Sequence, residues 1–154
     1  MQSILWAFPI SAIALDATDP TGKTAYVTLM GFHTAHVWKT TTAGLSWTDF
    51  SANLPDAPVN SIIVDSRTSL SNGTVYVGTD IGVFASSTGA ANWTELAPAA
   101  GQPGLLPNVA VTSLQIFNSG GLKRLRAATY GRGIWEWNLI TTPDFQIQAT
   151  NEIR

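Results

Sequence analysis

The stretch Leu54-Pro55-Asp56-Ala57-Pro58-Val59-Asn60-Ser61-Ile62 returns 52 positions later as Leu106-Pro107-Asn108-Val109-Ala110-Val111-Thr112-Ser113-Leu114. This self-similarity constrains the fold more than any other property of the chain. A repeat of roughly fifty residues, with short β-patterned runs inside it, belongs to arrays such as propellers and solenoids. Other segments recur at compatible offsets. Ile10-Ser11-Ala12-Ile13-Ala14-Leu15-Asp16 matches Val59-Asn60-Ser61-Ile62-Ile63-Val64-Asp65 at a shift of 49, and Ala25-Tyr26-Val27 matches Val75-Tyr76-Val77 at 50. Trp47-Thr48-Asp49-Phe50 matches Trp93-Thr94-Glu95-Leu96 at 46, and Val37-Trp38, Val83-Phe84 and Ile134-Trp135 are three copies of one apolar dipeptide. Offsets that drift by a few residues are what loop insertions between fixed strands produce.

Each unit reads as four short strands, placed in the second unit at Ser61 to Val64, Thr74 to Gly78, Gly82 to Ser86 and Asn92 to Leu96. Continuous apolar runs such as Ile62-Ile63-Val64 and Val75-Tyr76-Val77 suit strands buried on both faces. Helical spacing is sustained nowhere, and turn residues cluster between the runs, as at Asp19-Pro20-Thr21-Gly22 and Ser69-Leu70-Ser71-Asn72-Gly73. The expectation is an all-β chain of β-propeller blades, with two complete four-stranded antiparallel units over about 9–54 and 55–106 and a three-stranded third over 107–140. Residues 1–140 then form part of a larger propeller, and 141–154 a linker and the start of a truncated following β domain. Closed propellers use 4 to 8 blades, so the remaining blades or a second copy of the chain are the expected partners.

Composition narrows the function classes. The chain is 45% hydrophobic but 12% charged, with a net charge of −2 and no cysteine. That balance offers no basic footprint for nucleic acid, and disulfides and cysteine chemistry are excluded. Lys123-Arg124-Leu125-Arg126 is the one basic cluster, read as a turn and a solvated strand edge. Residues Ile4 to Leu15 resemble the apolar core of a signal peptide, yet no Lys or Arg precedes them and the repeat assigns Ile10 to Asp16 to a first strand. No stretch approaches the roughly 20 apolar residues of a membrane span. Low charge with abundant threonine, glycine and tryptophan fits a secreted or cell-envelope protein; the sequons at Asn72 and Asn92 are read as chance matches in a threonine-rich chain.

After the third strand of the first unit, Thr40-Thr41-Thr42-Ala43-Gly44-Leu45-Ser46-Trp47 resembles an Asp-box, or BNR repeat, keeping Thr40, Gly44, Ser46 and Trp47 but placing Thr42 where the family has aspartate. Ser86 to Trp93 has the same length, with Thr88 at the aspartate position and Gly89 displaced by one. Physically such a box is a hairpin: a short polar side chain binds the turn's amides, glycine takes a positive φ, and tryptophan packs beneath. Ala127-Ala128-Thr129-Tyr130-Gly131-Arg132-Gly133-Ile134-Trp135-Glu136 resembles the segment closing bacterial Asp-box propellers of the sialidase-like, sortilin-like and photosystem-assembly-factor-like kind. The resemblance covers about residues 9–140 and implies that the boxes are structural.

In a propeller the connections between second and third strands, and those from a fourth strand to the first strand of the next blade, line one end, where ligands bind. Here the connections between second and third strands place His33, Asp80, Tyr130 and Arg132 as ligand-face candidates. An aromatic ring can stack on a sugar while Asp and Arg bond hydroxyls or carboxylates; the bland reading makes Gly131-Arg132-Gly133 a mere crossing turn. His33 and His36 have a spacing found in some metal sites, but without a third ligand in sequence they are read as unliganded. Asp16 and Asp65, at equivalent positions after a first strand, are read as caps of backbone amides. No catalytic residue, metal or cofactor is assigned. The leading expectation is a non-catalytic repeat module that binds carbohydrate or protein, or serves assembly. The alternative is part of a glycoside hydrolase, sialidase-like or xyloglucanase-like, whose carboxylate pair would lie mostly upstream.

Overall fold

The computed structural model describes residues 8–65, 73–96, 106 and 108–139. Within them lie eleven strands and no helix: β1 (Ile10–Leu15), β2 (Ala25–Leu29), β3 (Val37–Thr40), β4 (Thr48–Asp49), β5 (Val59–Asp65), β6 (Thr74–Thr79), β7 (Gly82–Ser87), β8 (Thr94–Glu95), β9 (Val111–Ser119), β10 (Leu122–Thr129) and β11 (Ile134–Asn138). They form three antiparallel meanders of four, four and three strands: β1 to β4, β5 to β8 and β9 to β11. These are propeller-like blades in a stack that does not close. The expected segment 141–154 lies outside the described residues.

The repeat is carried by backbone as much as by side chains. The first strand of every blade has a register irregularity at the same place, so that Ser11, Asn60 and Thr112 are extra residues opposite β2, β6 and β10. Bulges of this kind bend the strand and increase its twist. Just beyond each bulge an amide of the next connection closes onto the residue before the first strand: Met30 onto the Pro9 carbonyl (2.9 Å), Asp80 onto Pro58 (3.1 Å) and Tyr130 onto Ala110 (2.8 Å). The fourth strands are much shorter than the sequence suggests, two residues in β4 and two in β8. Phe50 and Leu96 extend them by one amide bond each, to the carbonyls of Val37 and Val83.

Cross-strand register then decides what each face buries. The row Ala14, Tyr26, Lys39 of the first blade faces the row Ile62, Val77, Phe84 of the second. Likewise Ile63, Tyr76, Ala85 of the second faces Leu114, Ala127, Trp135 of the third. Tyr26, Val75, Val77, Val83 and Val111 are essentially fully buried at these two interfaces. Each such side chain contributes roughly 1.5–3 kcal/mol relative to exposure. Burial, with the Asp16 carboxylate as the second cause, holds the Tyr26 phenol well above its usual range.

Polar groups tie neighbouring blades together. Lys39 Nζ donates to the Thr88 carbonyl at 2.7 Å and lies 5.4 Å from the ring centres of both Tyr26 and Phe50. Asn53, in the connection from β4 to β5, brackets Trp93 with both its amide groups, at 2.9 and 2.8 Å. Trp93 Nε1 donates to the Phe50 carbonyl at 3.0 Å, and the two rings meet edge to face. The basic cluster is not a turn: all four of its residues sit within β10. Lys123 is ion-paired with Asp65 of the second blade, and Arg124 and Arg126 both hold Glu136 at 2.9 Å. Strand alternation sends Lys123 one way along the blade and the two arginines the other, which composition alone does not reveal.

Asp16 behaves as a cap, accepting from the Thr18 amide and hydroxyl. At the position of its repeat partner Asp65 the next blade also brings an ammonium within reach. Asp19 was not singled out by the repeat, yet it organises the connection from β1 to β2. Its carboxylate accepts from Thr21, Lys23 and Thr24, and the hydrogen bonds from Thr21 and Thr24 hold it far below the usual carboxylate range.

Candidate functional site

The two hairpins that resemble Asp-boxes close differently. In the first, Thr40 Oγ1 accepts from the amides of Thr42 (3.1 Å) and Gly44 (3.0 Å), and Thr42 Oγ1 accepts from the Ser46 amide at 2.9 Å. Ala43 and Gly44 take the positive φ values, 53° and 85°. Threonine at position 42 therefore performs the amide capping that its hydroxyl allows. Trp47 is half-buried and packs with Val27, Leu29 and Trp38. In the second hairpin Ser86 Oγ accepts from the Asn92 amide (2.8 Å) and Ser87 Oγ from the Gly89 amide (3.1 Å). Gly89 is not among the positive-φ residues, and Thr88 is buried with its carbonyl turned to Lys39. Trp93 sits deep between blades instead of beneath its own turn.

At the opposite end the three connections that carry the ligand-face candidates are fixed at their roots by the amides of Met30, Asp80 and Tyr130 described above. His33 lies in the connection from β2 to β3, at a φ of 57°, with its side chain 91% exposed. Asp80 begins the turn from β6 to β7, and its Oδ1 accepts from Asn60 Nδ2 at 2.9 Å. Tyr130 and Arg132 lie in the turn from β10 to β11, with Arg132 between Gly131 (φ 81°) and Gly133 (φ 76°) and Tyr130 just before them. The Arg132 carbonyl is held by Trp135 Nε1 at 3.0 Å, while Tyr130 is 80% exposed. The four candidates share one end of the stack, but among the described residues no hydrogen bond or ion pair joins them to one another.

A residue outside the four organises this end. Asp56 accepts from the His33 amide at 2.7 Å, and its two oxygens meet His33 Nδ1 at 3.0 Å and His36 Nε2 at 3.1 Å. His36 is buried, its amide bonded to Ser51 Oγ at 2.8 Å, so one carboxylate clips the β2–β3 connection to the β4–β5 connection. Buried Nδ1 of His36 has no partner, while Nε2 faces the Asp56 carboxylate, an acceptor to which it can only donate. The histidines are thus not without an acid beside them, as their sequence neighbourhood suggests. The third member comes from 20 residues away, a separation that no local pattern marks. The three groups meet pairwise through the carboxylate, and no metal-holding group of three or more acidic, His or Cys side chains occurs among the described residues.

The hydrogen bond from the His33 amide, aided by the charges of His33 and by His36, outweighs desolvation and holds the Asp56 carboxyl below its usual range. A depressed carboxylate contributes stability above the pKa of the unfolded chain and loses it as pH falls through the folded one. Acidification below about pH 4 is therefore expected to release this clip. Hydrogen-exchange protection of the His33 amide should fall over that window, and Asp56→Ala should remove it at neutral pH. Protection that survives Asp56→Ala would show that the clip is incidental.

Neither the protein-family models nor the curated proteins contain a match to this chain. Fold and chemistry therefore carry the functional reading alone.

Proposed function

We propose that this chain is a non-catalytic propeller-type repeat module that binds a polar ligand, a carbohydrate by preference, on the end formed by the β2–β3, β6–β7 and β10–β11 connections. The observation that carries the reading is the rooting of all three connections by equivalent amide bonds at one end, with Tyr130 raised into solvent just before the positive-φ Gly131. A rigid base with an exposed aromatic ring suits stacking on the apolar face of a sugar. Arg132, Asp80 and Asp56 would add bonds to hydroxyls. A secreted or cell-envelope location belongs with this reading.

The chemistry supports binding over hydrolysis. A glycosidase needs one carboxyl held protonated near neutrality beside an ionised one. Asp56 is shifted the opposite way, and Asp80 is engaged by Asn60. An array of neutral and acidic oligosaccharides tests the proposal. Retention of at least one glycan, weakened tenfold or more by Tyr130→Ala and by Arg132→Ala, is expected. No retention, or retention indifferent to both substitutions, sinks it.

A further inference from the structure

Each blade presents two faces, and the three copies allow them to be compared row by row. The faces turned toward the preceding blade are apolar throughout: Ile62, Val77, Phe84 in the second blade and Leu114, Ala127, Trp135 in the third. Both are covered, by the first and second blades respectively. The corresponding row of the first blade is Ile13, Val27, Trp38, with Leu15 in the next row. Val27 and Trp38 are shielded by Phe8, Ala35 and Trp47, but Ile13 is 66% and Leu15 71% exposed. The repeat counterparts of Ile13, Ile62 and Leu114, are 8% and 7% exposed, and those of Leu15, Val64 and Ile116, are half-buried.

The faces turned toward a following blade do not stay constant. Ala14, Tyr26, Lys39 becomes Ile63, Tyr76, Ala85 and then Gln115, Arg126, Glu136. Arg124 joins this last row, Glu136 bridges the two guanidiniums, and Arg126 stacks at 4.8 Å on the Phe117 ring. These ionic groups keep roughly a third of their side-chain surface in water. Pressed against Ile13 and Leu15 they would lose that hydration and gain no new partner, which costs more than the contact returns.

We propose that the Ile13 and Leu15 face of the first blade is a docking surface for a further blade presenting the small-or-aliphatic and tyrosine row of Ala14–Tyr26 or Ile63–Tyr76, and that a second copy of this chain, whose free face is the arginine–glutamate row, does not fill it. The chain itself supplies the template twice, in its two internal interfaces. This goes beyond the proposed ligand binding. It concerns the side of the blade stack and not the ligand end, so glycan binding and docking can fail separately.

A reciprocal pair of variants tests it. In a donor chain, Gln115→Ile, Arg124→Thr, Arg126→Tyr and Glu136→Ala copy Ile63, Thr74, Tyr76 and Ala85 of the second blade onto the third, while Leu15→Asp blocks its own first blade. Near-ultraviolet circular dichroism establishes that the donor keeps ordered tryptophans; the milder donor Arg126→Tyr, Glu136→Ala, Leu15→Asp serves if the full set does not. Mixed with the unchanged chain at micromolar concentration, the donor is expected to give the mass of a one-to-one pair by light scattering, with no pair when the acceptor carries Leu15→Asp. A folded donor that forms no pair overturns the proposal. So does a discrete dimer of the unchanged chain, because a second copy would then occupy the face.

Discussion

Replacing Gly78 by alanine is expected to lower stability by about 3 kcal/mol, at the upper end of what overpacking costs. For a chain of this size that is a melting-point drop on the order of 10 °C. Gly78 sits in β6 where the second blade meets the third. A Cβ built on it would lie 2.6 Å from Val111 Cγ1 and 3.0 Å from Val111 Cβ, and closer still to Ser61 Oγ. Real Cβ atoms do not approach carbon so closely, and neither neighbour can yield easily. Val111 is fully buried in β9 at the interface, and Ser61 is buried in β5 of the same sheet. The argument concerns space and not backbone freedom, since Gly78 has no positive φ. Val111→Ala removes both γ-methyls, so Gly78→Ala and Val111→Ala together should cost clearly less than the sum of the two singles, measured by urea denaturation. Strict additivity would mean that the blades do not meet at this point. The equivalent position in the first blade is Thr28, which pairs with Ser11 Oγ at 2.8 Å, so the glycine answers one interface only.

Why some of this is legible in the sequence and some is not follows from what each contact needs. The strands were readable because two-sided burial makes each of them an apolar run, as in Val75-Tyr76-Val77, and because the run recurs at a fixed offset. The bulges at Ser11, Asn60 and Thr112 were not, because they are made by backbone register and three unlike side chains serve equally well. Asp80, Tyr130 and Arg132 could be placed at the right turns, since hairpin ends follow directly from strand order. Asp56 could not be, although it lies inside the repeated stretch Leu54 to Ile62. Its partners come from another connection, and its own counterpart Asn108 carries no charge. The same holds for Lys123. As one of four neighbouring residues with three positive charges it reads as a solvated edge, and only the register of β10 against β9 and β11 sorts its charges onto opposite faces. Contacts within a blade leave a periodic trace, whereas contacts between blades join residues distant in sequence, as Gly78 and Val111 or Lys39 and Thr88 are, whose types are fixed by one interface at a time.

That distinction gives the second large effect, at the same interface as Gly78. Lys123 is 9% and Asp65 2% exposed at the side chain, and the pair joins the third blade to the second. Two ions so enclosed have each given up most of their hydration, so the pair as a whole adds little net stability, but removing one member takes a compensating charge away from the other. Lys123→Met, which keeps the length of the stem and deletes the ammonium, is accordingly expected to cost about 3 kcal/mol at neutral pH. Asp65→Asn in the same background removes the buried carboxylate charge with little change of shape, so the double variant should cost clearly less than the sum of the two single variants. A double-mutant cycle by chemical denaturation reads the coupling directly. A coupling near zero, with Lys123→Met costing less than about 1 kcal/mol as at exposed ion pairs, would mean that water reaches the pair and that the two blades are held by their apolar rows alone.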